Sequence, residues 1–256
     1  MSHFYSSEGL PHFGITAKSA RERGLFYSVT EILRVLHSQG LEIWKINSAI
    51  DYCFENPAEC ELDEYRREVK KGMYDDSALT LGTNIHDRIE RILKGELELD
   101  DVEDKFKKFV EPCIDYFISK KFKLIDIEQI VVNPDEGYAG TADIVAETSN
   151  GQPFIMDWKS CGKIPSKPHY TQKLQISAYA VATFGLDAVM AHEVWGANAY
   201  ISTTEINKRG PEKGKHKFKV KSYRPEELAK NYKLFQMVCA LWRDIEDYDP
   251  RVTSNS

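Results

Sequence analysis

The sequence predicts an α/β protein built on a central mixed sheet flanked by helices. Helical apolar periods fill residues 27–121, the pattern turns to strands from Phe122, and a helix closes the chain at 225–246. The sheet is expected from 122–223, covered by a helix at 168–185 and by the N-terminal helices. One domain is expected over 27–250, with a helical part at 27–121 and an α/β core at 122–250.

Residues 1–26 are polar, contain Gly9, Pro11 and Gly14 and show no period, so a flexible N-terminal arm is expected. Ser28 or Thr30 caps a first helix carrying Ile32, Leu33, Val35 and Leu36, with an end near Gly40. A second helix, 41–55, presents Ile43, Trp44, Ile46, Ile50 and Phe54 as a core stripe and stops before Pro57. A charged helix follows over 61–71. In the long helix 76–94, His86 and Glu90 lie four apart on one face. A helix over 100–120 turns Phe106, Phe109, Val110, Ile114, Phe117 and Ile118 inward, and Pro112 should kink it.

Leu124 to Val132 reads as the first core strand, with Glu128 on it. Tyr138–Glu147 and Phe154–Lys159 read as a hairpin joined through Thr148-Ser149-Asn150-Gly151-Gln152. A three-residue loop with Gly151 left-handed places Thr148 opposite Gln152 and Asp143 opposite Asp157. Alternation puts Asp157 and Lys159 on one face. The following helix carries Gln172, Gln175 and Tyr179 at i, i+3 and i+7. Ala188–Ser202 reads as a strand. So does Lys215–Lys221, where lysine recurs at alternate positions. Two readings of those lysines stand: protection of an edge strand and phosphate tracking. The last helix offers Leu228, Tyr232, Phe235, Val238, Leu241 and Trp242 to the core.

The chemistry follows from the hairpin. Opposed strand residues lie roughly 5 Å apart, and two carboxylates at that separation call for a cation. Mg²⁺ is commonly held by one or two protein carboxylates plus water and phosphate. Such an ion activates water and neutralises charge on a phosphodiester, and Lys159 beside it would steady the same charge. The Asp157-x-Lys159 tripeptide alone also fits a structural ion pair. The partner Gly140-x-x-Asp143 and the downstream Gln/Tyr face shift the balance towards a site.

Together, Gly140-x-x-Asp143, Asp157-x-Lys159, Gln175-x-x-x-Tyr179 and an upstream helix running Gly82 to Glu90 through His86 resemble the PD-(D/E)XK nuclease superfamily in its RecB-like branch. The opening Ser28-Val29-Thr30-x-Ile32-Leu33 is similar to phage-type exonucleases and the mitochondrial genome maintenance exonuclease. The likeness spans residues 27–185. It implies a restriction-endonuclease-like fold and a metal-dependent DNA exonuclease acting on single strands or duplex ends, in repair, recombination or replication. It implies metal ligation by His86, Asp143, Asp157 and the Trp158 backbone carbonyl, with Mg²⁺ or Mn²⁺ as the ion; imidazole favours Mn²⁺. Lys159 would assist the attacking water, and Gln175 and Tyr179 would position Lys159 or the strand. Glu90, Glu128 and Gln172 are accessory candidates. Lys163, Lys167, Lys215, Lys217, Lys219 and Lys221 are the candidate DNA contacts.

The rival readings are an endonuclease, a nuclease subunit of a recombination complex, and a catalytically inactive nucleic-acid-binding protein. The intact Asp143, Asp157 and Lys159 set argues against the last. No helicase motif is present, which leaves a partner helicase or single-strand-binding protein open. The 256 residues carry a net charge of −6 and 42% hydrophobic residues, as expected of a soluble chain. No apolar run predicts a membrane span. Five unclustered cysteines argue for reduced thiols in a cytosol-like compartment, host cytoplasm and organelle included, and against a four-cysteine iron–sulfur cluster.

Overall fold

A computed structural model describes residues 4–36, 39–72, 76–204 and 218–251; side chains at 39–41, 44, 71–72 and 76–79 lie outside the described set. The chain divides into two compact units, residues 1–35 with 85–256 and residues 36–84.

The smaller unit holds α3 (Gln39–Glu55) and α4 (Leu62–Gly72). The Tyr65 hydroxyl of α4 donates to the Asn56 carbonyl. Ile43, Ile46, Ile50 and Phe54, expected as a core stripe, are exposed; Trp44's side chain is outside the described set. Periodicity identifies an apolar face but not what covers it.

The larger unit begins with strands, not with an arm. β1 (Phe4–Tyr5), β2 (Pro11–His12) and β3 (Phe26–Ser28) join the sheet, with α1 (Ala17–Glu22) between the last two. Phe4, Tyr5, Phe26 and Tyr27 are buried, and Phe4 meets Tyr27 edge-on at 4.8 Å. Strands of two or three residues are too short to show a period, which is why the composition reads as a tail. Ser28 caps α2 (Val29–Ile32) by accepting from the Glu31 N–H at 3.2 Å. A 3₁₀ turn at Leu33–Val35 ends this segment well before Gly40.

Next come α5 (Asp76–Leu93) and α6 (Asp104–Ser119), which runs unbroken through Pro112. Ile118, expected inward, is exposed. β4 (Lys123–Asn133), β5 (Tyr138–Glu147) and β6 (Pro153–Cys161) form an antiparallel meander. α7 (Tyr170–Phe184) follows. The expected strand from Ala188 is instead a short helix, α8 (Leu186–Met190), then β7 (Trp195–Ser202). Gly185, at φ +88°, ends α7 and turns the chain into α8. β8 (Phe218–Tyr223) and α9 (Pro225–Glu246) complete the unit.

The strands run β2-β1-β3-β5-β6-β7-β8, with β4 also on β5. This order opens the sheet at one place. β4 takes one edge of β5 along its length, so β3 and β6 share the other. β3 pairs with Tyr138 and Ala139, and β6 pairs with Ile144 to Glu147. The edge from Gly140 to Asp143 therefore carries no strand. β7 continues parallel from β6, and α7 and α9 pack together against this region. No described helix is long and apolar enough to cross a membrane.

Candidate active site in the fork of the sheet

The gap beside Gly140–Asp143 is the floor of a cleft of about 330 Å³. The β5–β6 turn sets its geometry. Gly151 sits at φ +77°, and the Thr148 N–H bonds the Gln152 carbonyl at 2.8 Å, as the three-residue loop requires. The register then runs Glu147↔Pro153 to Ile144↔Met156 and stops. Asp143 is opposite Asp157 by count, but the pair is not formed because the strands part there. The Asp143 carboxylate reaches across instead and accepts the Trp158 N–H at 2.7 Å. In an extended strand a residue's N–H and C=O point to the same side, so the Trp158 carbonyl also faces the β5 edge.

Lys159 lies at the centre of the polar network. Its ammonium is 2.6 Å from an Asp157 oxygen and donates to Gln175 Oε1 at 3.0 Å. The Gln175 amide in turn donates to the Tyr179 hydroxyl at 3.0 Å and reaches Thr30 Oγ1 at 3.4 Å. His86 Nδ1 stands 4.0 Å from Asp143. One helix of the N-terminal half and the hairpin of the C-terminal half thus meet at the same cleft, and it gathers His86, Asp143, Asp157, Trp158, Lys159, Gln175 and Tyr179.

The electrostatics are those of a site with excess negative charge. Burial, then the neighbouring Asp157, drives the Asp143 carboxyl well above the usual carboxylate range, against the pull of Lys159. Burial opposes the charge on Lys159, yet Asp157 and Asp143 outweigh it and raise the ammonium. Lys159 therefore stays protonated and serves as a donor, not as a base. Burial lowers His86, which keeps its imidazole neutral and free to ligate.

Among the described residues, no three His, Cys, Asp or Glu side chains form a ready cluster for a metal ion. The donor set nevertheless fits a hard divalent cation. Two carboxylates, an imidazole and a strand carbonyl face one cleft, and Mg²⁺ commonly takes only one or two carboxylates from the protein. Burial first and the neighbouring Asp157 second raise Asp143, and Lys159 offsets this only in part.

The accessory candidates separate. Glu128 lines the cleft. It adopts φ +52°, a costly left-handed conformation for a non-glycine residue, and forms no bridge with Asp143 in an otherwise continuous stretch of the β4–β5 ladder. Glu90 does not line the cleft; its carboxylate pairs with Lys94 at 2.6 Å and acts on the lining Glu128 through its charge. Gln172 is not there either. Its oxygen accepts from the His169 N–H at 3.1 Å and the Tyr200 hydroxyl at 2.6 Å, which caps α7 and ties it to β7. Helical spacing gives the face, while the neighbour that takes the polar group is a tertiary matter.

Burial, then Glu90 and Asp157, raises Glu128 to about 6. A carboxyl raised in the folded state favours folding when protonated. Its contribution is complete below the unfolded value and is lost as pH climbs through 6. Glu128→Gln should therefore be more stable than the parent at pH 8, by about 1 kcal/mol after allowance for solvent screening, with no gain at pH 4. Urea melts at the two pH values in EDTA check this; an equal shift at both would contradict it.

Sequence reasoning missed groups at the cleft and behind it. Asn198, fully buried on β7, donates to Asp157 at 3.3 Å and accepts from the Tyr223 hydroxyl at 2.7 Å. Tyr5 reaches Thr141 at 3.2 Å from the segment read as an arm. Nothing local marks Asn198; the parallel pairing of Asp157 with Asn198 does.

Of the lysines, Lys163 and Lys167 are exposed in the segment after β6, and Lys219 is exposed on β8. The Lys221 ammonium donates to the Ser166 carbonyl at 3.2 Å, which brings the two lysine groups onto one surface. Lys215 and Lys217 lie outside the described residues.

No protein-family model and no curated protein matches the chain. A solved structure titled "Crystal structure of SSO0001" is 12% identical over 78% of this chain and 87% of that one, with a TM-score of 0.31, a similarity that carries no argument about fold or activity.

Proposed function

We propose that the chain is a divalent-metal-dependent deoxyribonuclease of the RecB-like PD-(D/E)XK type, with a restriction-endonuclease-like core, acting as an exonuclease on single-stranded DNA or duplex ends. The observation that carries this is the Lys159 ammonium held between Asp157 and Gln175 beside Asp143, in a gap of the sheet. Asp143 and Asp157 would hold the ion, with His86 and the Trp158 carbonyl completing the protein's share. When bound, Mg²⁺ or Mn²⁺ supplies an activated water and charge neutralisation at phosphorus.

The chain's own residues do the rest. The water oxygen bonds to phosphorus as the bond to the leaving sugar oxygen breaks; one proton leaves the water and one reaches the leaving oxygen, both exchanged with solvent. Lys159 donates a hydrogen bond to the phosphoryl oxygen on which charge grows. Gln175, itself held by Tyr179, keeps that ammonium in place, and burial holds the Tyr179 phenol in its neutral form. Asn198 donates to the same Asp157 oxygen that the Lys159 ammonium approaches and so helps to hold the carboxylate. Lys163, Lys167, Lys219 and Lys221 offer a basic surface for the phosphate backbone. Net charge of −6 does not oppose that, because a local patch steers DNA; affinity should fall steeply with salt.

The test is a linear single-stranded DNA labelled separately at each end, incubated with Mg²⁺, Mn²⁺ or EDTA beside a closed circle. Loss of the linear strand only with metal, and survival of the circle, is the expected result; the label lost first reports polarity. Cutting of the circle would make the protein an endonuclease. Binding without cutting under any metal would make it an inactive binding protein. As a readout independent of activity, Mn²⁺ should raise Tm, and His86→Ala should reduce that rise.

A further inference from the structure

The last helix is apolar on two sides. Leu228, Tyr232, Phe235, Val238 and Trp242 face the core. On a flanking face, Leu234, Met237, Leu241 and Ile245 recur at i, i+3, i+7 and i+11 and are 45%, 68%, 46% and 59% exposed. Leu241 was expected in the core. Four large apolar side chains in a row on a solvent face mark an interaction surface.

Charge says what fits it. Beside the stripe, the N-terminal half of α9 carries exposed Lys230 and Lys233, and the C-terminal end carries exposed Asp244 and Asp247. Among the described residues none of the four is in an ion pair within the chain. Such a face is complementary to itself when reversed. We propose that α9 is a homodimer interface, with a second copy of this chain docked antiparallel about a two-fold axis near Cys239. That register sets Met237 against the partner's Leu241 and Leu234 against the partner's Ile245. On the flank it sets Lys233 against the partner's Asp244 and Lys230 against the partner's Asp247. A parallel crossing would place lysine beside lysine. A two-fold contact is isologous, so each pair occurs twice. One helix face is small for a protein interface, which places the association in the weak class.

Sedimentation of the full chain tests this. The parent should double in mass as concentration rises through the micromolar range. Met237→Glu, at a solvent-exposed position, should stay monomeric with an unchanged circular dichroism spectrum. Lys233→Glu alone and Asp244→Lys alone should each weaken the dimer about tenfold, since two symmetric contacts turn repulsive. The double variant K233E/D244K should regain parental affinity. A parent that remains monomeric to high micromolar concentration overturns the proposal, and the stripe then serves another partner. A dimer that survives Met237→Glu overturns it as well, as does failure of the double swap to recover.

Discussion

Lys159→Ala is expected to lower DNA cleavage by about 10²–10³-fold with DNA and metal at saturation. The lysine is the cation within direct reach of Asp157, and its ammonium is already aimed by Gln175. Removing it takes away a preorganised donor for the charge that grows on the phosphoryl oxygen. It also leaves two facing carboxylates without their cation. The variant should therefore lose about 2 kcal/mol in EDTA, a value between those of surface and buried pairs because the side chain is a quarter exposed. Saturating Mg²⁺ or Mn²⁺ should return most of that loss without returning activity. Single-turnover cleavage and thermal melts with and without EDTA measure the two effects. A variant that cuts at the parental rate would remove Lys159 from the chemistry. One equally unstable with and without metal would break the link between the lysine and the carboxylate pair.

Gly140→Ala should destabilise the fold by about 1–3 kcal/mol and impair cleavage at the same time. A methyl group at Gly140 would stand 2.6 Å from Tyr179 Cε1 and 3.2 Å from its hydroxyl oxygen. The Tyr179 ring is buried, and its hydroxyl is already engaged by Gln175. It holds Gln175, and Gln175 holds Lys159, so displacement of the ring is passed to the ammonium. This gives the glycine of Gly140-x-x-Asp143 a physical reason unrelated to backbone freedom, since the position must be small for the tyrosine to lie over the strand. A chemical melt reads the stability loss, and cleavage well below the melting range reads the effect on Lys159. Parental stability would show that the ring yields easily, and intact activity in a destabilised variant would uncouple Tyr179 from Lys159.

The same pair of residues shows how far the sequence reaches. Periodicity placed Gln175 and Tyr179 on one helical face, and turn chemistry at Gly151 set the register that brings Asp143 level with Asp157. Both are local: one depends on 3.6 residues per turn, the other on a left-handed glycine in a short loop. The long amphipathic helices α5, α6, α7 and α9 were legible for the same reason, as was the residue set that meets at the cleft.

Contacts between distant segments were not legible. The two- and three-residue strands β1 and β3 owe their burial to partners in β5 and α9; Tyr27, for example, packs on Trp242 at 4.7 Å. Asn198 reaches Asp157 only because β7 runs parallel to β6. Glu128 and Glu90 look alike as single carboxylates on regular elements, yet one lines the cleft in a left-handed conformation and the other pairs with Lys94. The stripes on α3 and α9 read alike as core, yet Ile43, Ile46, Ile50 and Phe54 of the first are exposed while only Leu241 of the second is. By itself, then, the sequence determined the long helices, the hairpin register and the candidate site residues, because those follow from neighbours a few positions apart. Only the tertiary structure decided where the sheet opens, which polar groups share the opening and which apolar faces stay bare, because those depend on which edges and faces other parts of the chain have already taken.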